Sequence, residues 1–105
     1  MIIETLERWF REGNSLFVPT IVKIEVLSLP EITEQQVRDY SLFLNSFISV
    51  SLNDEIVRET AFLRRQYKLE LPDAGIAATA LHYRVPLVTR DKLLQRVREI
   101  NVIEI

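Results

Sequence analysis

The chain has 105 residues, enough for one hydrophobic core and too few for two domains. Its 48% apolar and 27% charged residues suit a globular protein, and a net charge of −2 gives no overall pull toward nucleic acid. Without cysteine there are no disulfides or thiolate metal sites, which fits a reducing cytoplasmic setting, and no apolar run approaches the roughly 18 residues of a membrane span.

At the N-terminus, Ile2, Ile3, Leu6, Trp9 and Phe10 recur at helical spacing and Gly13 follows as a stop. This stretch carries acids early and has neither the basic start nor the cleavage site of a signal peptide. Residues 15–18 ("SLFV") read as a strand, and residues 20–29 as a short helix ended by Pro30. Thr33 and Gln36 have capping-box spacing ahead of an amphipathic helix carrying Val37, Tyr40, Leu44 and Phe47. Residues 47–52 ("FISVSL") form the next expected strand. Asn53 or Asp54 then caps a long helix with the stripe Ile56, Leu63 and Tyr67, helped by Thr60. In "LELPDAGIAATAL" Asp73 is the expected N-cap of a small-sided helix reaching about His82. Residues 86–89 ("PLVT") and 101–105 ("NVIEI") are expected strands, with a short helix at 92–98 between them. This alternation of helix and short strand predicts a parallel sheet covered by helices on both faces. With only two glycines, no phosphate-cradling loop of the dinucleotide or Walker type is present.

In open parallel sheets ligands bind beyond the carboxyl ends of the strands. Asp91 lies two residues past the 86–89 strand, and Asp73 opens the helix leading into it. Glu25 shares a helical stripe with Ile21, Val22 and Leu29, which predicts a core-facing acid that must be paired, protonated or bound to a cation. Each acid also has a plainer reading: Asp73 and Asp91 as helix caps, Glu25 at the rim of its stripe. Together on one rim, the three carboxylates suit a hard cation such as Mg²⁺ or Mn²⁺. Arg84, Arg90 and Lys92 flank that rim and are candidate phosphate contacts, or simply a solvated face. The single histidine, His82, reads as a helix C-terminal dipole partner, and no serine stands in a pattern that supports nucleophilic hydrolysis.

Nearly the whole chain resembles PIN-domain ribonucleases of the VapC toxin type. The resemblance rests on "VPTIVKIEVL" with Glu25, "LPDAGIAATAL" with Asp73 and "PLVTRDK" with Asp91, in family order. It implies a three-layer α/β domain with helices on both faces of a short parallel sheet, acidic residues at the strand ends around Mg²⁺ or Mn²⁺, and endonucleolytic cutting of single-stranded RNA. It also implies a partner antitoxin. Glu25, Asp73 and Asp91 match acidic metal-site positions, and Thr89 matches a small polar residue two before the last acid.

The chain departs from the family pattern at its start. The family opens with a hydrophobic strand ending in aspartate, whereas "MIIETL" resembles the helix after it. Residues 1–105 are therefore expected to form a single PIN-like domain, N-terminally truncated relative to the family, lacking the first strand and first metal-binding Asp. A misassigned start, direct pairing of 16–18 with 86–89, or a strand from a partner chain would each account for this. Loss of one ligand makes a non-catalytic module, binding an antitoxin or itself, the alternative to a metal-dependent nuclease. Large apolar side chains around Trp9 and Phe10 and in the helices at 33–47 and 53–68 suit a homodimer or an antitoxin contact.

Overall fold

The computed structural model describes residues 8–9 and 11–104. Ile2, Ile3, Leu6 and Phe10 of the expected first helix lie outside the described residues, as does Ile105. Arg8, Trp9 and Arg11 are helical, and this helix ends at Gly13 with φ +89°. Asn14 N–H donates to the Trp9 carbonyl across that turn at 3.0 Å, which closes the helix C-terminus with glycine in the left-handed conformation.

Strand β1 (Phe17–Pro19) leads directly into helix α1 (Thr20–Leu27), because Pro19 is compatible with the extended end of a strand and cannot continue its ladder. Helix α1 stops at Leu27, before the expected residue 29. Helix α2 (Glu34–Asn45) starts with the predicted capping box: Gln36 N–H donates to Thr33 Oγ1 at 3.1 Å and Thr33 N–H to Gln36 Oε1 at 3.0 Å. After strand β2 (Ile48–Val50), helix α3 (Asp54–Tyr67) is capped by Asn53, whose Oδ1 accepts from Ile56 N–H at 2.9 Å. Lys68 turns the chain out of α3 with φ +56°, and Arg64 Nε donates to the Leu69 carbonyl to hold that turn.

Helix α4 (Leu71–Tyr83) begins three residues earlier than expected. Glu70 occupies the N-cap position without a side-chain bond, Pro72 fills the first turn where no N–H is needed, and Asp73 stands inside that turn. Asp73 is therefore not the cap. Strand β3 (Leu87–Val88), the single-turn helix α5 (Lys92–Gln95) and strand β4 (Val102–Ile103) complete the chain. Helix α5 is shorter than the 92–98 expected, since the chain turns at Val97 to bury that side chain in the core.

Helix α4 occupies the centre, touching α3, α1, β1 and β3. Its Ala74, Ala77 and Ala78 are fully buried beside Ile56 and Leu63 of α3, forming one core with Val50, Leu69, Leu94 and Val97. Small side chains on a helix facing four elements allow backbones to come close without voids.

The strands form two parallel pairs, β1 with β2 and β3 with β4, and β1 does not pair with β3 among the described residues. The direct pairing of 16–18 with 86–89 is thereby ruled out for the described fold. Ile48 N–H donates to the Leu16 carbonyl at 2.9 Å, and Leu87 N–H to the Asn101 carbonyl at 2.8 Å. In a parallel ladder successive residues turn their N–H and C=O to opposite edges. These registers therefore aim the backbone groups of Phe17 away from β2 and those of Val88 away from β4.

Gly75 lies within α4, and a Cβ built there meets Ile21 Cδ1 of α1 at 3.5 Å, an ordinary contact. Gly75→Ala should stabilise the fold by about 0.5–1 kcal/mol, since helical glycine carries an entropic cost and no space is violated. Ala78→Leu, at a fully buried position in the core, should instead cost about 1–3 kcal/mol. Thermal melts of the two variants test this, and a lowered melting temperature for Gly75→Ala would refute the packing assignment.

Candidate active site

Between the two strand pairs lies a cavity of about 910 Å³. Phe17, Val18 and Pro19 of β1 form one wall and Leu87 and Val88 of β3 the other. Ile76, Thr79 and Ala80 of α4 also line it, and Asp73, Thr89, Arg90 and Asp91 lie on its polar side. The carboxyl ends of β1 and β3 thus open onto a single rim, where crossover topology leaves room for a ligand.

Asp73 is half-buried in the first turn of α4. The helix dipole favours its ionised form. Burial, then the charge of Asp91, then that of Glu70 outweigh this and raise its pKa above the ordinary 3.8. The two acids, 18 residues apart in the sequence, line the same cavity.

Asp91 caps α5, with Oδ1 accepting from Leu93 N–H at 2.9 Å. Its own N–H donates to Thr89 Oγ1 at 3.0 Å, so Thr89 fixes the backbone that carries the acid. The plainer reading of Asp91 as a cap is real, and it occupies only one carboxylate oxygen.

Glu25 is placed differently from its expectation. It is exposed on α1, as are Ile24 on the same helix and Leu29 just past its end, and it is not on the cavity wall. The stripe with Ile21 and Val22 exists, but α1 rests on α4 and α2 along a narrower face that leaves Glu25 outside. Val22, three residues before it, does reach the cavity. Of the three basic candidates, Arg90 lines the cavity. Lys92 Nζ is held by Glu104 Oε1 at 2.9 Å, and Arg84 ends α4 with φ +54°, exposed and away from the cavity wall.

The donor set fits a hard divalent cation. Mg²⁺ is commonly held by one or two carboxylates, with waters or phosphate oxygens completing its shell. Asp73 and Asp91 supply two, and their mutual repulsion is the imbalance that a cation would relieve.

Sequence reasoning missed a second cluster. His82 Nδ1 lies 2.9 Å from Glu59 Oε1 and 3.7 Å from Glu55 Oε2, and the ligand atoms of the three lie within 4.8 Å of one another. His82 is thus a side-chain partner of α3 rather than only a dipole partner. Glu55 and Glu59 have the i, i+4 spacing of one helix face, but only folding brings in His82, 23 residues on. A site with imidazole suits transition metals better than Mg²⁺, and none of the three residues lines the cavity.

Residues 3–100 match the family model of the PIN domain. Among solved structures, a chain of a toxin–antitoxin complex from Klebsiella pneumoniae is 30% identical, with a TM-score of 0.69, over 81% of this chain and 69% of that one. A chain of VapBC2 from Rickettsia felis, bound to a DNA fragment from their promoter, has a TM-score of 0.81 at 20% identity, over 97% and 83%. A chain of DNA-bound VapBC from Salmonella typhimurium has a TM-score of 0.78 at 16% identity, over 95% and 83%. The last two share the fold. Comparison with curated proteins gives no match.

Because the pKa of Asp73 is raised, the folded state prefers its protonated form, and stability falls as pH rises through that raised value. With a chelator present, Asp73→Asn should melt higher than the parent at pH 7, by roughly 2–3 °C given the partial exposure of the group. The difference should close below the ordinary value of 3.8. Differential scanning calorimetry across pH 3–8 checks this, and a variant that melts lower at pH 7 would contradict it.

Proposed function

The chain belongs to the PIN domain family, and on that premise we propose that it is a toxin-like endoribonuclease that uses Mg²⁺ or Mn²⁺ to hydrolyse phosphodiester bonds of single-stranded RNA. The observation that carries this reading is that Asp73 and Asp91 line one rim of the same cavity at the carboxyl ends of β1 and β3.

Asp73 and Asp91 are the cation ligands in this proposal. Glu25 is the third acid, unpaired among the described residues and one turn beyond the cavity-lining Val22. When bound there, a divalent cation would lower the pKa of a ligated water and offset charge on an in-line transition state. The chain's own residues do the positioning. Thr89 and the Leu93 N–H hold the Asp91 carboxylate by its two ends, backbone and side chain. Arg90 lies beside them, where a guanidinium suits a scissile phosphate. Thr79, its hydroxyl donating to the Gly75 carbonyl, presents no competing donor to the cavity.

The toxin–antitoxin relatives support a protein antitoxin as partner of this chain too. The surface offers it a place: Leu42 is 74% and Phe43 50% exposed on α2, and Ile24 is 64% exposed on α1, which packs against α2. Apolar exposure of that degree on two touching helices favours a protein interface, here an antitoxin or a second copy. No helix among the described residues is long and apolar enough to cross a membrane. The cysteine-free chain suits a cytoplasmic site of action.

The position of Glu25 outside the cavity wall favours a second reading, a non-catalytic module that keeps the fold and binds its partner. The two readings separate experimentally. Under the first, Mn²⁺ supports cutting of single-stranded RNA, a chelator stops it, and Asp73→Asn or Asp91→Asn lowers the rate by about a hundredfold or more, the loss of several kcal/mol of charge stabilisation. Asn keeps the capping acceptor at position 91, so a folding defect is not the expected cause. RNA left intact by the parent at every cation concentration would move the assignment to the second reading. For the interface, Leu42→Glu with Phe43→Glu should abolish any self-association seen by sedimentation while leaving the melting temperature within about 2 °C, as surface changes do.

A further inference from the structure

We propose that Glu55, Glu59 and His82 form a second metal site, separate from the acidic rim. It takes a transition-metal ion of the Zn²⁺ class and ties the start of helix α3 to the end of helix α4. This inference does not rest on the nuclease reading.

The donors come from two helices and differ in kind. Glu55 and Glu59 stand one turn apart near the start of α3, and His82 lies in the last turn of α4. His82 Nδ1 is 2.9 Å from Glu59 Oε1, a contact that a shared proton explains by itself. Glu55 Oε2 is 3.7 Å from the same nitrogen, too far for a hydrogen bond, yet it converges on the same point. One ligand atom from each of the three residues lies within 4.8 Å of the other two. Atoms so placed are all within about 2.8 Å of a common point, and zinc bonds to imidazole and carboxylate run about 2.0–2.2 Å. Small side-chain rotations close that difference.

Charge and packing favour a cation there. Two carboxylates at i, i+4 repel each other, and among the described residues no Lys or Arg forms an ion pair with either. A divalent ion supplies the missing positive charge. The His82 side chain is only 20% exposed and its ring meets Tyr83 edge-on at 4.8 Å, which limits its rotation before any ion arrives. Glu55 is 69% exposed, so water reaches the site from its side and can complete a four-coordinate shell. An imidazole ligand suits Zn²⁺, whereas Mg²⁺ takes oxygen ligands, and this distinguishes the site from the rim. Asp73 lies nine residues before His82 on α4, about 13 Å along the helix axis. The two sites therefore share no ligand.

The chain's single histidine makes the test direct. Zn²⁺ alone is titrated into the parent and into an Asp73→Asn/Asp91→Asn chain that lacks the rim carboxylates, and the imidazole nitrogens are followed by ¹⁵N NMR. In both, the Nδ1 resonance should move to a metal-bound position while the proton stays on Nε2. Calorimetry on the chain without rim acids should give one bound Zn²⁺ that millimolar Mg²⁺ does not displace. At a hundredfold excess over Kd, bound Zn²⁺ should raise the melting temperature by about 5–10 °C. Adding His82→Gln to that chain should weaken binding at least about tenfold, since one of three protein ligands is gone. If that variant does not fold, Glu55→Gln at its exposed position replaces it, with the same expected loss. An Nδ1 resonance unmoved at saturating Zn²⁺, or equal affinity with and without the substituted ligand, would overturn the proposal. Because the rim acids are absent from the second chain, either result leaves the nuclease reading to its own RNA-cutting assay.

Discussion

The whole arrangement depends on how closely helix α4 approaches its neighbours. Alanine at 74, 77 and 78 and glycine at 75 leave α4 almost without side-chain bulk on its buried faces. This single helix can therefore contact α3, α1, β1 and β3 together. Because β1 and β3 share no hydrogen bond, α4 is the element that fixes one strand pair relative to the other. The site inherits its geometry from this. Asp73 rides on the first turn of α4, Asp91 follows β3, and their separation is set by helix–strand packing rather than by a common sheet.

Packing for stability and electrostatics for chemistry pull in opposite directions at that rim. Burial and two neighbouring acids hold the Asp73 pKa above its ordinary value, so the ionised site is a strained state of the protein alone. A cation binding between the acids would offset the repulsive part of this, and by linkage it would bind more tightly the larger the repulsion it cancels. Natural binding sites commonly sacrifice stability in this way. Helix α4 tolerates it because the rest of its length is buried against the core, away from the acids.

What was legible in the sequence was what local chemistry decides. The capping box of Thr33 and Gln36, the Asn53 cap, the Gly13 stop and the Asp91 cap each involve groups within a few residues, and each appears as read. The start of α4 differs from the sequence reading because Asp73, a strong capping residue type, stands inside the first turn. Proline in the first turn is equally compatible, and it moved the boundary to Glu70. Glu25 failed for another reason. Periodicity says which residues share a stripe, while the width of stripe that is covered depends on the partner helices, which no local pattern encodes. The meeting of His82 with Glu55 and Glu59 was likewise invisible, since it exists only through the packing of α3 on α4.

A sheet divided into two pairs also changes how the rim acids should be regarded. Strand pairs of three and two residues carry few ladder bonds, and short isolated pairs are marginal in water. Each pair here gains its stability from the helices it touches, so small rotations of either against α4 cost little in hydrogen bonding. Asp91 follows one of these pairs and Asp73 rides on α4, so the packing of β3 against α4 sets how the two carboxylates face each other. Preorganisation of ligands to within a fraction of an ångström is what separates a site that is present from one that works. In this chain the competence of the acidic rim is therefore decided where β3 packs on α4.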